Sequence, residues 1–266
     1  MRIRISHNAR YAYASPPRLV TQVLRATPRS HHGQRVSSWR IDVDVDCALR
    51  ASEDAFGNFT HTFTAAGRLD ALTVSVAGEV ETFDTAGVAT GAMERFPPEL
   101  FLRQTELTAP DAALRALAAD VGARGKTTLD KLHGLMTEVN TRLKFDKKAK
   151  GVGAAAALAQ GAGACQDFAH VFICCARAMN IPARCVSGYF LDIDGPVELE
   201  AGHAWAEAYV EDLGWAGFDP VSDACPSESH VCVARGFDYM GAAPARGAMT
   251  GGGGETRAVD LRVWKI

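Results

Sequence analysis

The sequence predicts an α+β protein in which an antiparallel β domain precedes a domain of helices packed on a second antiparallel sheet. The first third of the chain repeats a period of two between turn signals, which is typical of short strands. Amphipathic helical patterns follow, and the segment from residue 203 to 218 alternates again. We therefore predict a β-rich domain over residues 1–95 and a second domain over residues 96–266, with a C-terminal β extension.

The N-terminal domain is predicted as a small antiparallel sandwich or barrel. Large apolar side chains alternate from Trp39 to Leu49, and the alternation repeats from Phe59 to Phe63 and from Leu72 to Val76. Residues 86–110 contain several Gly and Pro residues, which are typical of a linker between domains. The last residues, 258–266, alternate once more and predict a final strand.

Three helices are predicted after the linker. The first two cover residues 111–121 and 127–143, and the second of these has Leu, Met and Val on one face. The third begins at Cys165, because apolar residues then recur at steps of three and four as far as Met179. Asn180, as a left-handed cap, and the following Pro182 end this helix.

A hairpin is predicted after the third helix. From His203 the strand alternates large residues with alanines, and a row of alanines suits close packing against a helix. Residues 211–214 form the turn, and the returning strand ends at Asp219. A two-residue turn would not place His203 opposite Asp219. The turn is therefore longer or bulged, or the two residues meet diagonally.

Cys165, His203 and Asp219 supply the groups of a nucleophilic acyl-transfer site. A thiol attacks a carbonyl, an imidazole takes and returns the proton, and a carboxylate fixes the imidazole tautomer. Cys165 stands in the first turn of its helix, where unpaired backbone N–H groups and the helix dipole favour the thiolate. We therefore predict these three residues to be catalytic.

Residues 150–222 resemble the core of the transglutaminase-like superfamily, which is related to papain. The N-terminal part resembles the β-rich region that precedes this core in bacterial transglutaminase-like proteins described as cysteine proteases. The resemblance is carried by short stretches in the same order and spacing: Leu24–Pro28, Asp54–Asn58, Gly163–His170, Arg177–Arg184, Val186–Tyr189, Gly202–Glu207, Gly214–Pro220 and Val231–Tyr239. In the last stretch Phe237 stands where the family usually has an arginine. Just beyond it, Gly241 stands where the family usually has an aspartate.

The resemblance implies a papain-like fold and a cysteine-dependent hydrolase of amide or peptide bonds that acts through a thioester acyl-enzyme. Two alternatives stay open. One is an amine-accepting acyltransferase of the transglutaminase or arylamine-acetyltransferase type, and the other is a non-catalytic protein that keeps the triad and binds a partner. The expected substrate is a peptide or amide, and the bacterial members suggest a modified peptide.

Further residues near the triad have two interpretations each. Gln166 follows the thiol and is a candidate for the oxyanion hole, while Tyr189 and Trp205 either line the substrate cleft or fill the core. His230, with Cys232 and Cys225, could be considered as metal ligands. Because the paired Cys-x-x-Cys of a zinc site is missing, we predict no metal and no other cofactor.

The composition fits an ordinary enzyme. The 266 residues are 47% hydrophobic and carry a net charge of −3, which gives no reason to expect nucleic acid or a membrane as partner. The N-terminus lacks a long apolar stretch, so we expect neither a signal peptide nor a membrane span. Seven cysteines without an export signal favour free thiols in the cytoplasm. The sequence does not predict the oligomeric state.

Overall fold

The β-rich part of the chain forms two antiparallel sheets packed face to face. The computed structural model describes residues 1–191, 198–199 and 202–266. The first sheet contains, in spatial order, β10 (Glu198–Leu199), β15 (Gly253–Lys265), β1 (Arg2–Ser15), β6 (Ala71–Thr82) and β3 (Gln34–Val43). The second contains β14 (Ala245–Thr250), β2 (Leu19–Thr27), β5 (Phe59–Ala66) and β4 (Arg50–Glu53). Alternate side chains of both sheets, such as Tyr11 and Phe63, fill a common core.

The two C-terminal strands complete this sandwich. β15 pairs with β1 from Ile3–Lys265 to Ser15–Gly253, and β14 pairs with β2 from Leu24–Ala245 to Leu19–Thr250. The C-terminal β extension therefore lies in the sheets of the N-terminal part. The sandwich is built from both ends of the chain, with the helical part inserted between them.

One predicted strand is shorter than the alternation suggested. β3 ends at Val43, and the alternating side chains of Val45, Cys47 and Leu49 pack against the sandwich from an irregular segment. Asp44 ends the pairing, because its backbone N–H donates to the carbonyl of Thr73 while its carboxylate accepts from the N–H of Thr73. A period of two therefore marks burial here without a regular strand.

The inserted part has a four-stranded antiparallel sheet covered by helices. Its strands, in spatial order, are β12 (Gly214–Phe218), β11 (His203–Val210), β9 (Ala183–Phe190) and β13 (His230–Gly236). The helices are α1 (Ala112–Arg124), α2 (Thr128–Arg142), α3 (Ala154–Gln160), α4 (Cys165–Ala178) and α5 (Tyr239–Ala242). A short parallel pair, β7 (Lys144–Phe145) with β8 (Ala162–Gly163), joins α2 to the start of α4. The α+β class is thus confirmed.

α4 is the central helix of the inserted part and begins at Cys165, as predicted. It lies between the sheet and the other helices, so that almost all its side chains are buried. Ala206 and Ala208 of β11 let the helix approach the sheet closely and share its core with Phe168 and Phe172. Asn180 follows the helix with a φ of 60°, which confirms the predicted left-handed cap.

The hairpin of β11 and β12 has a three-residue turn over residues 211–213. The strands pair from Val210–Gly214 to Ala206–Phe218. Continued toward the site, this register would place Asp219 opposite Trp205, two residues from His203. The contact between His203 and Asp219 is therefore diagonal, which is one of the two arrangements that the sequence left open.

The predicted linker, residues 86–110, runs along the inserted sheet and is tied to it. Val88 forms a bridge with Ala216, and Phe101 packs edge-on against Trp215. Short 3₁₀ turns cover Pro98–Leu102 and Glu106–Thr108. The segment thus fixes the sheet from its outer side. Among the described residues, no helix is long and apolar enough to span a membrane.

Candidate active site

Cys165 occupies the N-terminus of α4 at the edge of the inserted sheet. Its side chain is partly exposed, and Sγ lies 3.9 Å from the carbonyl oxygen of Gly202, the residue before β11. The first backbone N–H groups of a helix have no carbonyl partner within it. The thiol is thus beside free backbone donors and beside the beginning of the strand that carries His203.

Asp167 holds the N-terminus of α4 in place, and sequence reasoning did not identify this role. Its buried carboxylate accepts backbone N–H groups from three residues: Val152 at 2.8 Å, Gly153 at 3.1 Å and Ala164 at 3.0 Å. It thereby joins the loop before α3 to the residue that precedes Cys165. Its position as the third helical residue, where acidic caps occur, was the available signal.

Replacing Asp167 by Asn should lower the free energy of unfolding by about 2 kcal/mol or more, because a buried N–H would then face an amide donor. It should also slow alkylation of Cys165 by shifting the helix N-terminus. Urea denaturation and iodoacetamide kinetics would measure the two effects. The matched control is Asp146→Asn, since the exposed carboxylate of Asp146 accepts the backbone N–H of Lys148. Equal stability of the two variants would contradict the prediction.

His203 stands between the thiol and a carboxylate. Its Nε2 donates to Oδ2 of Asp219 at 2.7 Å, and its ring also interacts with the Cys165 thiol. Because Nε2 is engaged by Asp219, Nδ1 is the ring nitrogen left for the thiol. Trp205 stacks beside the ring at a centroid distance of 6.1 Å, and Phe190 lies at 5.4 Å. The structure thus brings together Cys165, His203 and Asp219, the residues predicted as a triad.

The groups around His203 determine its charge state. Burial alone would lower the pKa of its imidazole, but the charge and hydrogen bond of Asp219, followed by those of Cys165, outweigh it and raise the pKa to about 10. The protonated imidazole is therefore the stable form at neutral pH. It is suited to pair with a thiolate and to donate a proton to a leaving group.

The reactivity of Cys165 should follow the titration of His203. Because the pKa of His203 is raised in the folded protein, the imidazole keeps its proton at pH values below this pKa and loses it as the pH rises through about 10. Alkylation of Cys165 by iodoacetamide should therefore show an upper transition near pH 10, where His203 loses its proton, and no histidine transition near neutral pH. Rate measurements across this range test it, with His203→Ala as the control that should lack the upper transition. A transition near the ordinary histidine value would contradict the assignment.

Asp219 is a fully buried carboxylate with four donors. Oδ2 accepts from Nε2 of His203, from Oγ of Ser222 at 3.0 Å and from Nε2 of His230 at 3.3 Å, while Oδ1 accepts from the backbone N–H of Val221 at 3.1 Å. Burial alone would raise the pKa of Asp219, but His203 and then His230 hold it well below its usual range. The carboxylate therefore stays charged and orients His203.

His230 is the site residue that sequence reasoning missed. The sequence suggests His230 only as a metal ligand with Cys232 and Cys225, but the group of possible ligands found among the described residues contains neither cysteine. The ligand atoms of His203, Asp219 and His230 do lie within 4.8 Å of one another. Since both imidazoles are at hydrogen-bond distance from one carboxylate oxygen that also accepts from Ser222, we interpret the group as a hydrogen-bonded cluster.

The three predicted cleft residues have different surroundings. Trp205 is buried and lies beside the imidazole of His203. Gln166 lies under the loop before α3, so close to Gly151 that an added Cβ there would be 1.7 Å from its Nε2. Tyr189 is buried among residues of the sandwich, and its hydroxyl is 3.1 Å from Nδ1 of His7. The structure therefore favours the core interpretation of Tyr189, because its strand packs against β1.

Glu207, the last residue of the His203 stretch, has a structural position. Its buried carboxylate accepts from Nε of Arg184 at 2.7 Å and from the guanidinium of Arg235 at 2.9 Å. Burial alone would raise its pKa, but Arg235 and Arg184 outweigh this and lower it to about 2. Arg184 also pairs with Glu94 of the linker. The cluster thus joins three strands to residues 86–110 beneath the site.

The fold and the site together define a papain-like architecture, in which a helix presents a cysteine to a His and an Asp on the adjoining sheet. The family model described as Transglutaminase-like superfamily matches residues 115–220. That described as Bacterial transglutaminase-like N-terminal region matches residues 3–81. The chain belongs to the transglutaminase-like superfamily and carries its bacterial N-terminal region, as the sequence motifs predicted.

Similar proteins span nearly the whole chain. A solved structure described as a putative cysteine protease from Cytophaga hutchinsonii superposes with a TM-score of 0.80 at 20% identity, covering 99% of this chain and 90% of that one. Uncharacterized protein ML0607 of Mycobacterium leprae is 28% identical, and the aligned region covers 98% of this chain and 96% of that protein. Uncharacterized protein Rv2569c of Mycobacterium tuberculosis is also 28% identical, and the aligned region covers 92% of this chain and 87% of that protein. The sandwich and the inserted part therefore occur together in bacterial proteins.

Proposed function

We propose that the protein is a cysteine-dependent hydrolase of amide or peptide bonds that acts through a thioester acyl-enzyme. The observation that supports this most is that the imidazole of His203 interacts with both the Cys165 thiol and the Asp219 carboxylate, the latter through Nε2. This arrangement contains a nucleophile, an acid–base group and an orienting group. Membership in the transglutaminase-like superfamily and likeness to the Cytophaga structure agree with cysteine-based catalysis.

The proposed reaction starts from the thiolate of Cys165 and the imidazolium of His203. Sγ attacks the amide carbonyl, and the carbonyl π electrons move to oxygen. The backbone N–H of Cys165, at the helix N-terminus, stabilises this oxyanion. The C–N bond then breaks as His203 Nδ1 gives its proton to the departing amine, which leaves a thioester. His203 next removes a proton from water, the resulting hydroxide displaces Sγ, and a carboxylic acid is released.

The acyl acceptor distinguishes this proposal from its main alternative. If an amine replaces water in the second step, the same groups perform transamidation. Incubation with a thiol-directed activity probe, followed by a peptide library with and without an added primary amine, separates the cases. We expect probe labelling that depends on Cys165 and release of free carboxylic products without amine. Products formed only with amine would support acyl transfer, and a protein that labels with the probe yet leaves every peptide unchanged would contradict the hydrolase.

Chelation should leave the hydrolysis rate unchanged. The proposed steps use only side chains and backbone groups, and the oxygens of Asp219 already accept four hydrogen bonds. Turnover of a cleaved peptide would be compared before and after prolonged EDTA dialysis. A loss of turnover that zinc restores would show that His203, Asp219 and His230 hold a metal and would refute the proposed steps.

A further inference from the structure

The second imidazole beside the triad, His230, has a defined tautomer. It is buried at the first residue of β13, where its Nδ1 lies 3.2 Å from the backbone N–H of Ser227. A backbone N–H can only donate, so Nδ1 must accept and the proton must lie on Nε2. Nε2 is the atom 3.3 Å from Oδ2 of Asp219. His230 is therefore a hydrogen-bond donor to the same carboxylate oxygen as His203.

Packing holds the His230 ring in this orientation. Its centroid lies 4.7 Å from that of Phe190 and 5.3 Å from that of Trp205. His230 also pairs with Phe190 in the register between β13 and β9. Since Phe190 and Trp205 are the two rings that also flank His203, one aromatic group fixes both imidazoles relative to Asp219.

We propose that His230 is a positioning residue that fixes the Asp219 carboxylate and shares its negative charge between the two imidazoles. This inference rests on the proposed function, in which His203 must give its proton to a leaving group. A carboxylate that lacked the His230 donor, and kept only His203, Ser222 and the backbone N–H of Val221, would hold that proton more tightly. The additional neutral donor from His230 reduces the charge that His203 experiences, so the imidazolium becomes a better acid.

The charged groups around His230 agree with a neutral donor. Asp219 and His203 face it directly, and His31, Glu207 and Arg235 lie across the small cavity that it borders. Burial lowers the pKa of His230 and outweighs the opposing hydrogen bond and charge of Asp219. Protonation of His230 Nδ1 would also place its N–H against the backbone N–H of Ser227, and two donors repel each other. The ring therefore stays uncharged while His203 is charged.

Two substitutions of similar polarity distinguish the contribution of the Nε2–H donor from that of the rest of the His230 ring. The amide nitrogen of Gln reaches the place of Nε2, whereas the amide of Asn reaches only that of Nδ1. His230→Gln therefore keeps the donor to Asp219, and His230→Asn removes it. The readout is the rate constant for alkylation of Cys165 by iodoacetamide as a function of pH, together with turnover of a cleaved peptide.

We expect His230→Asn to move the upper transition of the alkylation profile to higher pH by about half a unit or more. It should also reduce turnover by roughly tenfold to a hundredfold, as the loss of a hydrogen bond to a charged group would. His230→Gln should restore both toward wild type. An upper transition that is the same in His230→Asn and wild type, or equal impairment of both variants, would overturn the proposal.

The unmodified protein gives an independent test. Imidazole ¹⁵N NMR should show His230 as the neutral Nε2–H tautomer from about pH 6 to pH 9, while His203 is protonated. An Nδ1–H tautomer, or a positive charge on His230 in this range, would refute the proposal even if both variants fail to fold. Alkylation and NMR need no substrate. Failure of the hydrolase proposal would therefore appear only in the peptide assay, and failure of the His230 proposal in these two measurements.

Discussion

Cys165→Ala should reduce hydrolysis by roughly 10⁶-fold, to the background rate, while leaving the fold intact. The side chain is partly exposed and contacts the carbonyl of Gly202 and the ring of His203 at the edge of the sheet, so its removal leaves the core unchanged. Among the residues that the structure describes, no other side chain next to His203 offers a comparable nucleophile, because Asp219 binds Nε2 of the ring and is itself saturated with donors. Peptide turnover and thermal melting of the variant would measure the two effects.

Cys225→Ala is the matched control, since Cys225 is also half-buried but packs against Gly87 of the linker segment. Burial raises the pKa of Cys225, that of Cys185, and that of Cys232, the last to about 11, so these thiols should react slowly. Mass spectrometry after brief treatment with substoichiometric iodoacetamide should find the label mainly on Cys165. Turnover that survives in Cys165→Ala, or preferential labelling of a buried cysteine, would exclude Cys165 as the nucleophile.

Asp219→Ala should lower turnover by about three to four orders of magnitude, because His203 would lose both its orientation and the charge that keeps it protonated. From the sequence we would expect an almost unchanged melting temperature. The structure indicates a measurable loss of stability as well, since four donors would lose their buried acceptor. Turnover should nevertheless fall far more than the folded fraction, which circular dichroism would establish at the assay temperature.

Asp223→Ala serves as the control for this substitution. Asp223 is the carboxylate nearest to Asp219 in sequence and is therefore the first alternative for the orienting role. It is exposed and accepts from Oγ1 of Thr137 at 3.0 Å, away from the imidazoles. Asp223→Ala should therefore keep wild-type turnover. An active Asp219→Ala protein would show that another group orients His203, and the mechanism would need a different third member.

The sequence alone determined the local identity of the elements with the clearest patterns. Alternation predicted β3, β5, β6, β11, β12 and β15, helical spacing predicted the start of α4 at Cys165, and Asn180 predicted its end. These features depend on residues a few positions apart, whose side chains share one face of a helix or strand. His203 and Asp219 also lie at the two ends of one hairpin, within a short stretch of sequence. The candidate triad could therefore be predicted.

Tertiary structure decided the features that join distant parts of the chain. The return of β15 to pair with β1, the burial of Tyr189 against the sandwich, and the anchoring of Val152 by Asp167 all depend on contacts that no local pattern encodes. The same holds for His230, which lies on a separate strand and meets Asp219 only because β13 pairs with β9. Local spacing defines which face a side chain occupies, whereas long-range packing decides what that face meets.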